Sequence, residues 1–357
     1  MDPSTSSLQL NVSSPISPPP KWTELQCDTV EQIVEAQSLA NWHQVDGLLF
    51  LSLYTIICSF GAAANLFVLL VFARSSTLRN VRNSFIVNLA FSDLLLCTLT
   101  APATLYSVVN LFWPLGNLSC QILASVQALN TFVSSLTLAA IALDRVLLTV
   151  APFRWRMSST APLISYALLW FISLLVALPY ATAVHAAPVY SFEPWSDPAF
   201  DHVLTACHRS RPVICMERST SWESAPISKL SYTLTVLAIQ YLLPLFALAF
   251  AYTQIGSTIR KRGKTSTTVD ESRRTTMQTR NRKALVLLVI LVGTYAIAWA
   301  PVNIYNVLSG FDFIQFSQYR YLFCHLLGIS SACINPLTYA LVNDSFRDAA
   351  SLLYSTL

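Results

Sequence analysis

One carboxylate in this chain stands where a carboxylate is costly. Asp93 lies in the run Asn88-Leu89-Ala90-Phe91-Ser92-Asp93-Leu94, inside an apolar stretch from about Ser84 to Asn110. A charge at the centre of a bilayer costs at least about 2.5 kcal/mol, so a residue of this kind marks a function by default. A second constellation is the adjacent acid–base pair Asp144-Arg145, at the end of an apolar run that opens near Cys120. Together the two neutralise each other; apart, the guanidinium presents a permanent cation with five donors. Trp299-Ala300-Pro301 places a proline inside another apolar run, where a missing backbone donor kinks a helix. Motifs for bond cleavage are absent: neither His-Glu-x-x-His nor Gly-x-Ser-x-Gly occurs. The chemistry on offer is charge pairing, cation binding and hydrogen bonding in a dry interior.

The elements that must carry these residues follow from composition. Of 357 residues, 54% are hydrophobic and only 11% charged, against roughly 25% charged in soluble proteins. Disorder is excluded by the hydrophobicity, and eight cysteines are too few for a disulfide scaffold. Seven apolar stretches are long enough to cross a bilayer, which takes about 20 residues. They run near 47–73, 84–110, 120–143, 162–184, 230–259, 284–311 and 321–342. An open sheet cannot satisfy its backbone in lipid, so the expected fold is an all-α membrane protein, a seven-transmembrane helix bundle. Residues 1–45 are polar and proline-rich, without a signal peptide, and read as a tail; 46–343 form the bundle; 344–357 form a short amphipathic eighth helix and tail, with Phe346 and Leu353 on one side. A transporter would show an internal repeat or paired interrupted spans, and neither is seen.

Orientation follows the positive-inside rule. Sixteen of the 22 Lys and Arg residues fall in loops on one side, giving that face a formal charge of +11. These loops are expected in the cytoplasm, with the N-terminus outside at a plasma membrane, and no nucleic-acid partner is implied. The opposite face carries −6 and would attract cationic ligands. Two sequons, at Asn11 and Asn117, fall on that outer face as expected glycosylation sites. Cys120 and Arg145 are 25 residues apart, or about 37 Å of helix, so they mark opposite ends of the third span.

Motif by motif, the chain resembles the rhodopsin-like (class A) G-protein-coupled receptors. The likeness rests on Asn65, the Leu89-to-Asp93 run, Asp144-Arg145-Val146, Trp170, Pro244 with Tyr252, Trp299-Ala300-Pro301 and Asn335-Pro336-Leu337-Thr338-Tyr339, in order over roughly 300 residues. It implies a switch made by Asp144, Arg145, Tyr252, Asn335, Pro336 and Tyr339 that meets a heterotrimeric G protein. Val146 replaces the family's tyrosine and leaves basal activity open. The resemblance also implies a sodium ion at Asp93, with Ser134, Ser331 and Asn335 as neighbours, and no other cofactor. It implies a bridge from Cys120 to Cys207 or Cys215; Ile214-Cys215-Met216-Glu217 resembles the setting in peptide receptors and favours Cys215. A second bridge among Cys27, Cys207 and Cys324 stays unassigned. Receptor kinase and arrestin are implied partners, with the hydroxyl-rich loop from Gly256 to Lys283, read as flexible, offering the sites.

Ligand class narrows within the family. The seventh span has no lysine for retinal, and seven residues below Cys120 stands Gln127 where amine receptors carry an aspartate. That glutamine, with Thr100-to-Tyr106, Phe112-to-Gly116, Gln240-Tyr241, Asn306 and His325, resembles the neuropeptide Y and neuropeptide F branch, most of all its nematode FMRFamide-like peptide receptors. The resemblance implies an amidated neuropeptide ending in Arg-Phe-amide. Its amide would meet Gln127, Gln240 and Asn306, and its phenylalanine would fill the space above Trp299, with Thr104 and His325 also in the site. Vertebrate members hold the ligand arginine with an acid at the end of the sixth helix, where this chain has Gly310; Asp312, Glu217 and Glu223 are the replacements available. A receptor for another amidated peptide, tachykinin-like, is the alternative, and a transporter a remoter one.

Overall fold

A computed structural model describes residues 27–75, 78, 81–150, 161–191, 193–223, 225, 227–264 and 271–356. Seven helices are long and apolar enough to cross a membrane: Gly47–Arg74, Asn83–Val109, Gly116–Val150, Leu163–Ala183, Lys229–Thr258, Arg282–Gly310 and Gln318–Val342, here the first to seventh spans. They surround one core that includes Val68, Ala90, Leu138, Val292, Ile329 and Tyr339, each nearly or fully inaccessible. Large apolar residues such as Leu48, Ile56, Leu163, Ile297 and Leu341 point outward. An apolar exterior is the arrangement a lipid solvent selects, because burial against lipid needs no polar shell.

Two spans depart from regular α-helix. The second contains a π turn, Leu96–Thr100, ending two residues before Pro102, and the fifth another, Leu237–Leu242, ending two residues before Pro244. Proline removes a backbone donor and crowds the turn before it, so the ladder slips by one residue there. The fifth-span slip falls on Gln240, whose carbonyl accepts from the Tyr295 hydroxyl at 3.1 Å.

The stretch read as a featureless tail holds an added element, a helix at Cys27–Gln44. It is polar on most sides, so apolar periodicity did not reveal it; its order comes from tertiary ties. Cys27 is bonded to Cys207, Glu31 is ion-paired with Arg209, and Asn41 donates to the Val109 carbonyl at 2.7 Å. Gln37 both accepts from Trp195 Nε1 and donates to the Glu193 carbonyl. Between the fourth and fifth spans a hairpin forms, β1 (Val184–Pro188) antiparallel to β2 (Val213–Glu217), with Ala186 opposite Cys215. Val30, Trp195, Phe200 and Leu204 make a small second core under the amino-terminal helix.

At the Arg145 end, the expected flexible loop from Gly256 to Lys283 is largely helical. The fifth-span helix continues to Lys264, and the sixth begins at Glu271; residues 265–270, with the hydroxyls of Thr265 to Thr268, lie outside the described residues. Polar helix-formers extend a helix already nucleated in the membrane. A last helix, Asp344–Thr356, buries Phe346 against Phe72 and Tyr339, with ring centroids 5.9 and 6.4 Å away. Asp344 pairs with Lys283 and Arg347. The hydrogen bond from Lys283, more than the charges around it, holds the Asp344 carboxyl below the usual carboxylate range. With its folded value depressed, this tie is intact at neutral pH and is lost only as pH falls through that lowered value.

Candidate functional site

Trp299 of the sixth span is buried in the core of the bundle. Its Nε1 donates to Ser331 Oγ at 3.1 Å, and its ring lies tilted on Tyr295, centroids 5.9 Å apart. Gly328 of the seventh span supplies the clearance: a Cβ there would fall 3.0 Å from the Trp299 ring. Glycine inside a helix costs up to about 1 kcal/mol relative to alanine, and at 328 the close approach of the indole accounts for it. Gly328→Ala is expected to push the pinned indole off its seat and cost about 1–3 kcal/mol, the usual range for overpacking. A lowered melting temperature of the purified receptor would show it; an unchanged one would mean that the indole is free to yield.

Around Trp299, a chain of contacts joins side chains of the first, third and seventh spans. Gln127 is partly buried and its Nε2 donates to the Tyr321 hydroxyl at 3.4 Å. Tyr321 stacks on His325 with centroids 5.9 Å apart and planes 13° apart, and His325 stacks in turn on Tyr54 at 6.0 Å. The Tyr54 hydroxyl is 2.8 Å from His325 Nδ1, and the His325 ring meets Trp299 edge-on at 6.2 Å. His325 is therefore a buried link between the first, sixth and seventh spans, at 2% exposure. Asn306 is exposed and stands seven residues beyond Trp299, two helical turns up on the same face.

Other residues of the expected ligand set are placed differently. Thr104 is buried and its hydroxyl donates to the Thr100 carbonyl of its own helix at 2.9 Å. Gln240 is buried in the π turn. Among the acids considered for a ligand arginine, Glu217 accepts from Trp222 Nε1 at 2.6 Å and lies 3.3 Å from Lys229. Asp312 follows the sixth span in a left-handed conformation, φ 57°, and is exposed with no ion-pair partner among the described residues. Aspartate tolerates that conformation through local hydrogen bonding. Glu223 is also exposed.

Deeper in the bundle, Asp93 is 4% exposed and accepts from Asn335 Nδ2 at 2.7 Å, with no Lys or Arg in ion-pair range among the described residues. Ser134 Oγ is 2.8 Å from Ser92 Oγ, and Ser331 Oγ donates to the Gly328 carbonyl at 2.7 Å while accepting from Trp299. Nearby, Asn65 donates to the carbonyls of Gly61 and Ala332, each at 2.9 Å, and its Oδ1 has no partner among the described residues. Among the described residues Asp93 is thus a buried carboxyl held by one amide N–H and by no basic partner, the costly arrangement that marks a functional acid in a membrane helix.

At the Arg145 end, the Asp144 and Arg145 side chains stand 3.9 Å apart, 8% and 9% exposed. Tyr339 is fully buried, with a hydroxyl that has no partner among the described residues. Tyr252 is 60% exposed on the bundle's outer surface and is not gathered with them. Pro301 and Pro336 lie inside the sixth and seventh spans. The Cys120–Cys215 bridge, with Cα atoms 5.7 Å apart, pins β2 to the third span; Cys27–Cys207 ties down the amino-terminal helix, and Cys324 is free. Asn117 Oδ1 accepts from the Ala186 amide of β1 at 2.9 Å; Asn11 lies outside the described residues.

Across these spans, residues 64–339 match the family model of the seven-transmembrane receptors of the rhodopsin family. The chain belongs to that family. The receptor is accordingly a multi-pass cell-surface membrane protein. It is 36% identical over 301 residues to a Caenorhabditis elegans protein provisionally named neuropeptide Y receptor 11, covering 82% of this chain and 72% of the relative. Identity to the neuropeptide F receptor of Drosophila melanogaster is 31%, covering 84% of this chain and 61% of that one. The RYamide receptor of Tribolium castaneum is 30% identical, over 83% and 78% of the two chains. Tyr54, Tyr321, Tyr295 and Gly328 were not singled out by motif; their polar or permissive character within apolar spans was the available signal.

Proposed function

We propose that the receptor answers an amidated neuropeptide of the Arg-Phe-amide, neuropeptide F type and passes the signal to heterotrimeric G proteins, without catalytic activity of its own. The observation that carries this reading is the neutral carboxamide of Gln127, two turns below the disulfide and bonded to Tyr321, whose ring stacks on the His325 that meets Trp299. A terminal peptide amide presents the donors and the acceptor that complement it, whereas an ammonium would find no charge there. Asn306, on the Trp299 face of the sixth span, extends the polar rim. Relatives named for neuropeptide Y, neuropeptide F and RYamide support the same class. The ligand's arginine is assigned to Asp312, which has no competing ion pair among the described residues, ahead of Glu217.

In this reading the Cys120 end faces outward and the Arg145 end faces the cytoplasm, as the Lys and Arg distribution requires. Ligand favours the active bundle only through its higher affinity for that state. The sixth span then moves at Pro301 and Arg145 parts from Asp144 to meet the G protein. When bound, a sodium ion would neutralise Asp93 and stabilise the silent arrangement; Asp93, Ser134, Ser331 and Asn335 are the residues assigned to it. Kinase and arrestin would act on the hydroxyl-rich segment before the sixth span.

The test is G-protein activation in transfected cells by Arg-Phe-amide and Arg-Tyr-amide peptides, each beside its free-acid twin. The amide is expected to be favoured by about 10-fold or more, and Gln127→Ala to erase most of that preference, since a lost hydrogen bond to a buried polar site is worth about 1–3 kcal/mol. Silence across the panel with receptor at the surface would remove this ligand class.

A further inference from the structure

We propose that Tyr321 is a built-in competitor for the ligand's terminal carboxamide, and that its displacement is the event relayed to Trp299. This rests on the amidated-peptide reading above. Among the described residues, the Gln127 carboxamide has one side-chain partner, the Tyr321 hydroxyl at 3.4 Å. A hydroxyl offers one donor and an acceptor, and here it satisfies one N–H of Gln127. A primary carboxamide can accept from the Gln127 N–H and donate to the Gln127 carbonyl together, so it replaces one long hydrogen bond by two. A carboxylate only accepts, and would set its charge against the Gln127 carbonyl oxygen. Discrimination between amide and acid thus arises from a contest for one side chain.

The relay is a continuous stack. The Tyr321 ring lies 13° from parallel to His325, His325 lies 22° from parallel to Tyr54, and the Tyr54 hydroxyl is fixed on His325 Nδ1 at 2.8 Å. Trp299 meets the His325 ring edge-on. Tyr321 also touches Tyr305 of the sixth span, centroids 6.4 Å apart, so a ring that leaves Gln127 moves against the sixth span as well as against His325. Close packing passes such a shift on, since the interior has little void to absorb it.

Two variants separate the hydroxyl from the ring. Tyr321→Phe keeps the stack and frees Gln127; Tyr321→Leu removes the stack as well. Nucleotide exchange is read in membranes at matched surface expression, without ligand and with an Arg-Phe-amide peptide or its free acid. For Tyr321→Phe, the amide's half-maximal concentration is expected to fall about three- to tenfold, the worth of one neutral hydrogen bond, with the maximum response kept and basal exchange raised. For Tyr321→Leu the maximum is expected to fall. An unchanged or higher half-maximal concentration for Tyr321→Phe, with the Gln127→Ala effect intact, would overturn the competition while leaving the peptide reading in place. If the wild-type receptor answers no amidated peptide, that reading fails separately. Basal exchange then decides: a rise in Tyr321→Phe keeps Tyr321 as the competitor for whatever ligand Gln127 holds, and no change overturns it.

Discussion

An Arg145→Ala receptor is expected to reach the cell surface and bind ligand, yet to lose ligand-driven nucleotide exchange by a factor in the roughly 5- to 150-fold range typical of a coupling free energy. Arg145 and Asp144 sit side by side at the end of the third span, mostly buried and 3.9 Å apart. A buried charge must keep a partner, so the pair can separate only when another acceptor takes the guanidinium. Opening of the bundle and engagement of a G protein provide that exchange in the proposed mechanism, which makes Arg145 the residue whose loss uncouples binding from signalling. Asp144→Asn weakens the attraction that holds the guanidinium beside it, so it is expected to act in the opposite direction and raise basal exchange. Radioligand binding and nucleotide exchange on the same membranes measure both quantities. Intact exchange in Arg145→Ala at equal expression would remove the switch from this pair.

The second large effect concerns the two bridges, which are expected to differ sharply. Cys215→Ser is expected to destabilise the ligand-facing end by about 2–5 kcal/mol, as loss of a native disulfide does, with loss of high-affinity ligand binding. Loop closure alone does not produce such a difference. The bridges span 95 and 180 residues, and a doubling of loop length is worth only about 0.6 kcal/mol, in favour of the longer one. The distinction lies in what each bridge holds. Cys120–Cys215 fixes β2 to the third span directly above Gln127, whereas Cys27–Cys207 secures a helix that also has hydrogen bonds from Gln37 and Asn41 and the packing of Val30. Cys27→Ser is therefore expected to loosen the first turns of the amino-terminal helix, the rest staying docked, with little change in bundle melting. Thermal unfolding of the two purified variants, alongside protease sensitivity of residues 27–44, compares them. Equal losses would mean that the amino-terminal helix folds as one unit with the spans.

Much of this receptor is written in its linear pattern. Long apolar runs free of charge between residues such as Asp46 and Arg74 leave the chain no soluble solution, and hydrocarbon then permits only helices here. The isolated Asp93, the Asp144-Arg145 pair and the prolines at 301 and 336 announce themselves because each is costly in a membrane helix. Contacts between distant residues carry no such local mark. A helix at Cys27–Gln44 is polar and owes its order to partners 150 or more residues away, such as Glu193, Trp195 and Cys207. Whether Tyr252 faces the interior, whether Glu217 is free for a ligand, and which hydroxyl holds Gln127 depend on helix rotation and on loop closure. Those are fixed by packing against neighbours rather than by any one segment's periodicity. Sequence determined which groups lie in the membrane, and the tertiary structure decided which of them touch, because burial is a property of a segment while a hydrogen bond needs two.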